Sequence, residues 1–201
     1  GLSATRAPFG ARALTRAVRS GAAGPGPVAI EAGWLAEPWA EQPRMLVLYG
    51  AGHVGRAIVH VLDALPWRVL WVDDAPARFP ADIPDHAERL VAANPADAVR
   101  LAGPEAAHLV LTYSHALDLE ICHRILAQPF GFAGLIGSAS KAARFRSRLR
   151  GLGHSETTVA RLTCPIGDKH LGKTPAAIAI GVAAELLRLP HGVLQNRRGA
   201  A

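Results

Sequence analysis

Four short stretches of the chain carry residue types that could handle an anionic ligand. The first, Gly50-Ala51-Gly52-His53-Val54-Gly55, fits the pattern GxGxxG. In that pattern the first glycine makes a tight turn, the second lets a phosphate approach the backbone, and the third lets a helix pack closely on a strand. His53 would open that helix, whose N-terminal amides favour an anion. Eighteen residues beyond Gly55 stands Asp73, followed by Asp74. That is close to the interval at which dinucleotide-binding chains place an acid for a ribose hydroxyl. Two acids there would repel a 2′-phosphate, favouring NAD over NADP.

The second stretch is Thr112-Tyr113-Ser114-His115-Ala116-Leu117-Asp118. Ser114 is a helix cap by type and position. His115 and Asp118 read either as a base with its orienting partner or as a structural pair at a helix start. The third, Gly134-Leu135-Ile136-Gly137-Ser138-Ala139-Ser140-Lys141, again puts a glycine-containing turn before a helix, so Gly137, Ser138 and Lys141 form a second anion-favouring turn. Lys141, Arg144, Arg146, Arg148 and Arg150 spread around that helix, and most read as solvated surface. The fourth stretch runs from Cys164 to Pro175 and brings a thiol, His170, Lys169 and Lys173 into one polar loop, the kind of segment that often carries function. Cys164 is a weak candidate for a soft-metal ligand or a nucleophile beside His170; an inert buried thiol is the plainer reading. The remaining histidines show no HxxxH or HExxH spacing, so no zinc site is assigned. Nothing assembles into a nucleophile, base and orienting group, and no catalytic residue is assigned.

The elements that must position these residues follow from hydrophobic periodicity. Strands are expected over residues 45–49, 68–72, 89–92, 108–112 and 132–136. Helices are expected over 53–64, from Pro95 onward, and over 116–127, 140–150, 155–162 and 175–189. Apolar runs alternating with helical periods indicate βα units and a parallel sheet. With the glycine loop between a strand and a helix, the expected fold is a Rossmann-like doubly wound sheet in three α/β/α layers. Its ligand crevice should lie at the carboxyl ends of the strands, where the order reverses. Residues 1–44 form an appendage, with a short helix over 9–20 and a hairpin over 28–39 turning at Ala32-Gly33. An arginine-rich stretch without an acid before Glu31 also has the composition of a transit peptide, but the amphipathic helix is preferred. The main domain is expected over 45–201.

With 201 residues, 50% of them apolar and 19% charged, the chain has material for one core and no large multidomain enzyme. Its 22 basic residues against 16 acids give +6 and favour an anionic partner. Aromatics at 5% are too sparse for a stacking platform that reads single-stranded nucleic acid. The longest apolar run, residues 176–184, is too short to span a membrane. Two cysteines without paired spacing fit a reducing cytoplasm.

Four collinear runs carry a family resemblance: LVLYGAGHVGRA (46–57), LTYSHALDLEICH (111–123), FAGLIGSASKAARFR (132–146) and RLTCPIGDKHLGKTPAAIAIGVAAELL (161–187). Together they resemble the C-terminal Rossmann domain of the XdhC/CoxI family, accessory proteins for molybdenum hydroxylases. The resemblance implies a chaperone that binds molybdenum cofactor (molybdopterin), holds it while a cysteine desulfurase supplies its sulfido ligand, and delivers it to the molybdenum-binding subunit of xanthine dehydrogenase. It leaves room for a homodimer. The implied contact set is Gly50, Gly52, His53, Gly55, Asp73, Thr112, Ser114, His115, Asp118, Gly137, Ser138 and Lys141. The family's N-terminal domain, with its glycine- and cysteine-containing motif, has no counterpart here, so residues 1–44 read as its remnant. Two other classes stay open: an NAD-dependent oxidoreductase, supported by the fingerprint and Asp73, and a degenerate Rossmann module that binds protein.

Overall fold

A computed structural model describes residues 28–30, 34–36 and 43–189. The chain divides into two units, residues 1–42 and 43–201. In the first, β1 (Val28–Ile30) pairs antiparallel with β2 (Trp34–Ala36), Ile30 opposite Trp34. The hairpin expected there is therefore formed, whereas the helix expected over 9–20 lies outside the described residues.

The second unit is built from β3 (Arg44–Tyr49), α1 (His53–Leu62), β4 (Trp67–Asp73), β5 (Ala87–Val91), β6 (Ala107–Val110), α2 (His115–Leu126), β7 (Phe132–Leu135), α3 (Ala139–Gly151), α4 (Glu156–Ala160), β8 (Leu162–Thr163) and α5 (Pro175–Leu187). Six strands pair in parallel, in the order β5-β4-β3-β6-β7-β8. The chain leaves β3 toward β4 and β5, then crosses to the other side for β6, β7 and β8. That reversal between β3 and β6 is the topological switch point of a doubly wound sheet.

Alternating residues of the central strands feed two cores. Val47, Tyr49, Val72, Val110 and Leu135 pack with Ile121, Ile125, Phe145 and Leu149 of α2 and α3 on one face. Leu46, Leu48, Trp71 and Leu109 pack with Ile58, Leu62, Val182 and Leu186 of α1 and α5 on the other. Because both faces are covered, the central strands read as nearly unbroken apolar runs. This is the three-layer Rossmann-like architecture expected from the pattern, with three local corrections. A sixth strand, β8, occupies the end of the segment expected as helix 155–162; α4 stops at Ala160, and Leu162 and Thr163 join the edge beside Ala133 and Gly134. Two residues are too few to show a strand period. The Pro95 segment is a 3₁₀ helix, Pro95–Leu101, with the Asn94 side chain accepting from the Ala96 amide; the turn at Gly103-Pro104 soon after leaves little room for a longer α-helix. The fifth strand begins at Ala87, earlier than expected, because polar Glu88 and Arg89 on an exposed edge hide its period. No helix among the described residues is long and apolar enough to cross a membrane.

Candidate functional site

The glycine loop leaves β3 through Gly50, whose φ of +121° favours glycine. A Cβ there would stand 2.5 Å from the Leu111 carbonyl oxygen, so only glycine lets the loop run this close to the end of β6. At Gly55 a Cβ would stand 2.1 Å from the Gly50 carbonyl oxygen, which is the close helix-strand approach expected of the third glycine. At Gly52 a Cβ would meet nothing within 4 Å. The space in front of the second glycine is open, as an approaching anion requires. Trp71 steadies the loop by donating its indole N–H to the Gly50 carbonyl at 3.0 Å, and Arg56 Nε donates to the Ala51 carbonyl at 3.3 Å. α1 begins at Gly52 without a side-chain cap and with no acid in its first turn, leaving amides at the helix start for a ligand.

Across the switch point, the ends of β6 and β7 are tied together by a buried network. Asp118, fully buried in the first turn of α2, accepts from the Thr112 amide at 2.9 Å and the Thr112 hydroxyl at 2.7 Å through Oδ1. Its Oδ2 accepts from Lys141 Nζ at 2.6 Å. Lys141, only 7% exposed, also donates to the Ile136 carbonyl at 3.0 Å. Gly137 makes room for this lysine: a Cβ there would stand 2.6 Å from Lys141 Cδ. Ser114 and Ser138 cap α2 and α3, accepting from the Leu117 and Lys141 amides.

A cleft of about 360 Å³ opens above this network, lined by Val54, Leu111, Thr112, His115, Ile136, Gly137, Ser138, Lys141 and Arg144. A second, of about 320 Å³, adjoins it across the same Ile136-Gly137-Ser138 turn and reaches Lys169 and Lys173 of the following loop. Among the residues expected at the site, Thr112, His115, Gly137, Ser138 and Lys141 thus share one cleft. Gly50, Gly52, His53 and Gly55 form the loop and helix start that present Val54 to it, and Asp118 lies beneath it.

Other expectations change. Asp118 is bound to Thr112 and Lys141, so it does not orient His115, and the base-and-partner reading of that pair is corrected. The spacing of three placed both residues in one helical turn but could not show that the carboxylate turns inward to a lysine on the next helix. Lys141 is no solvated surface residue, and Arg144 joins it at the cleft. Asp73, 4% exposed, accepts from the Ala51 amide at 2.7 Å through Oδ2 and from the Ala75 amide at 3.2 Å and Arg78 at 2.5 Å through Oδ1. Arg78 also pairs with Asp74, so the repulsion expected between two acids and a 2′-phosphate is offset by a guanidinium. Burial pushes the Asp74 carboxyl up, but the Tyr113 hydroxyl, Asp73 and Arg78 together hold it below its ordinary value. Arg78 and Tyr113 carry no motif, and sequence reasoning missed both.

Cys164 is buried and bonded to a cis proline, and burial above all pushes its thiol up despite Lys141 and Arg146 nearby. A protonated thiol is a poor metal ligand, and Cys164 does not line either cleft. No cluster of three or more metal-ligating side chains occurs among the described residues.

The family profile of the XdhC Rossmann domain matches residues 46–186. The chain is 36% identical over 156 residues to the uncharacterized protein YqeB of Escherichia coli K12, an alignment that takes in 75% of this chain and 28% of YqeB. A solved structure described as a xanthine dehydrogenase (BH1974) from Bacillus halodurans shares the fold with a TM-score of 0.62 and 23% identity, over 78% of this chain and 44% of that one. The chain thus spans less than a third of its curated relative and less than half of its solved neighbour. The glycine loop, the switch-point cleft and the match over both halves of the sheet agree: the chain belongs to the XdhC Rossmann domain family.

Proposed function

We propose that this domain serves an XdhC-like accessory role, holding molybdenum cofactor by its anionic end and passing it to a molybdenum hydroxylase of the xanthine dehydrogenase type, with a cysteine desulfurase as sulfur donor. The observation that carries this reading is Lys141 in the cleft floor. Two of its three N–H donors go to Asp118 and Ile136, which leaves one for an anion in the cleft it lines. Asp118 neutralises the lysine charge, so the net positive charge at the cleft comes from Arg144, supported by the uncapped amides at the start of α1.

The donor set suits a phosphate and a polar ring system. It offers no thiolate to a metal, which fits a cofactor whose metal is already held by its own dithiolene. When bound, the cofactor would supply the redox-active metal centre that the receiving enzyme needs. The chain's residues would bind the anionic end through Lys141, Arg144 and Ser138, and would let it approach the backbone at Gly52. On this reading the chain holds and hands over, and turns nothing over itself.

The test is to purify the chain from cells with molybdopterin synthesis intact and measure molybdenum and pterin. Near-stoichiometric amounts of both support the proposal; absence of both from a folded preparation contradicts it. The intact glycine loop also fits an NAD-dependent oxidoreductase, for which NADH fluorescence enhancement on titration is the direct test.

A further inference from the structure

In a doubly wound fold the acid ending the second strand of the first half marks the ribose of a bound adenosine. In this chain that acid is Asp73, and the space beside it is crossed by side chains. Tyr113, on the loop after β6, donates its hydroxyl to Asp74 Oδ2 at 2.8 Å. The Arg78 guanidinium lies 4.1 Å over the Tyr113 ring and pairs with both Asp73 and Asp74. Arg78 belongs to the 3₁₀ turn Pro76–Arg78 after β4. The three side chains therefore bridge the strand ends on either side of β3 and the glycine loop. Arg78 is held in turn, because its carbonyl accepts from Arg56 Nε of α1 at 2.9 Å.

We propose that Tyr113, Arg78 and Asp74 form a clasp occupying the adenosine position, so that the crevice discriminates against adenosine nucleotides and takes its ligand on the β6–β7 side. The carboxylates that would accept ribose hydroxyls are engaged by Arg78, Tyr113 and loop amides, and a ring stacked on a guanidinium stands where a base would lie. The clasp is exposed, Tyr113 to 68%, so its contacts are individually weak and it raises a threshold without sealing the site. The inference rests on the crevice being a ligand site, and it does not require that ligand to be molybdopterin.

The probe is ADP-ribose, titrated calorimetrically into the full chain and its variants. Replacing both clasp side chains, Tyr113→Ala with Arg78→Ala, should raise affinity for ADP-ribose by at least about tenfold, the scale of one cation–π contact plus one exposed charged hydrogen bond. Tyr113→Phe keeps the ring and removes only the link to Asp74, and should give a smaller gain. Adding Gly52→Val to the opened chain should abolish the gained binding, placing the nucleotide on the glycine loop. Unchanged thermal melting confirms that the variants are folded. Equal binding by wild type and opened chain overturns the clasp. Weaker binding by the opened chain overturns it too, since Tyr113 and Arg78 would then be a platform for the base. Undetectable binding in both also overturns it, because no adenosine site would have been uncovered. Molybdenum and pterin content, measured separately on the same wild-type preparation, reports on the cofactor-holding role without bearing on the clasp.

Discussion

At the scale of single residues, the three loop glycines carry different burdens although they share one motif. Gly55 is needed by packing, because any side chain would run into the Gly50 carbonyl, while Gly52 faces open space. Gly55→Ala should therefore destabilise the fold by about 2 kcal/mol or more, the upper range for overpacking against backbone, with a lowered urea midpoint. Gly52→Val should melt close to wild type yet lose retained cofactor; normal retention with a much lower midpoint would make Gly52 purely structural. Lys141 was legible as a basic residue at a helix start, but its partner was not. Removing the lysine by Lys141→Met strands a fully buried carboxylate on Asp118. The expected cost is roughly 3–5 kcal/mol, read by urea denaturation at neutral pH. Restoring neutrality with Asp118→Asn in the same chain should recover part of that loss. An equal loss in the double variant would show that the pair matters only through shape.

At the scale of elements, the strands that line the switch point were readable because they are buried on both faces and apolar throughout. The two that resisted, β5 and β8, lie at the sheet edges, where polar residues or mere shortness erase the period. Arg78 and Tyr113 were invisible for another reason: they meet only because loops from opposite sides of β3 fold toward each other, and nothing local marks that. Between β3 and β6 the sheet also carries a polar pair inside its core. His108 is fully buried, its Nδ1 lies 3.1 Å from the Tyr49 hydroxyl, and its Nε2 has no partner among the described residues. Burial pushes this ring down to about 4, against about 6.5 when unfolded. Between those values the unfolded chain holds a proton that the folded chain does not, so stability rises with pH across the window. It is complete above pH about 6.5 and is lost as pH falls toward 4, by roughly 3 kcal/mol in all. Urea midpoints at neutral and mildly acidic pH measure this. His108→Gln, which cannot take up the proton, should flatten the dependence; an unchanged slope in the variant would assign it to other groups.

At the scale of the whole molecule, the positive balance of the chain becomes meaningful only through placement. Most arginines of α3 remain on its solvated side, while Arg144 and buried Lys141 reach the cleft and Lys169 and Lys173 line its neighbour. The fold and the location of the crevice followed from the alternation of strands and helices and from the glycine loop. The half of the crevice that is open followed only from side-chain packing, which leaves the β6–β7 side free and crosses the adenosine side with protein.

The most direct measurement is the molybdenum and pterin content of the wild-type chain, purified beside Gly52→Val from cells that make molybdopterin. The account predicts both components near one per chain in the wild type and a marked loss of both in the variant at nearly unchanged melting temperature. Folded wild-type protein that carries neither, or a variant that retains both in full, would contradict it.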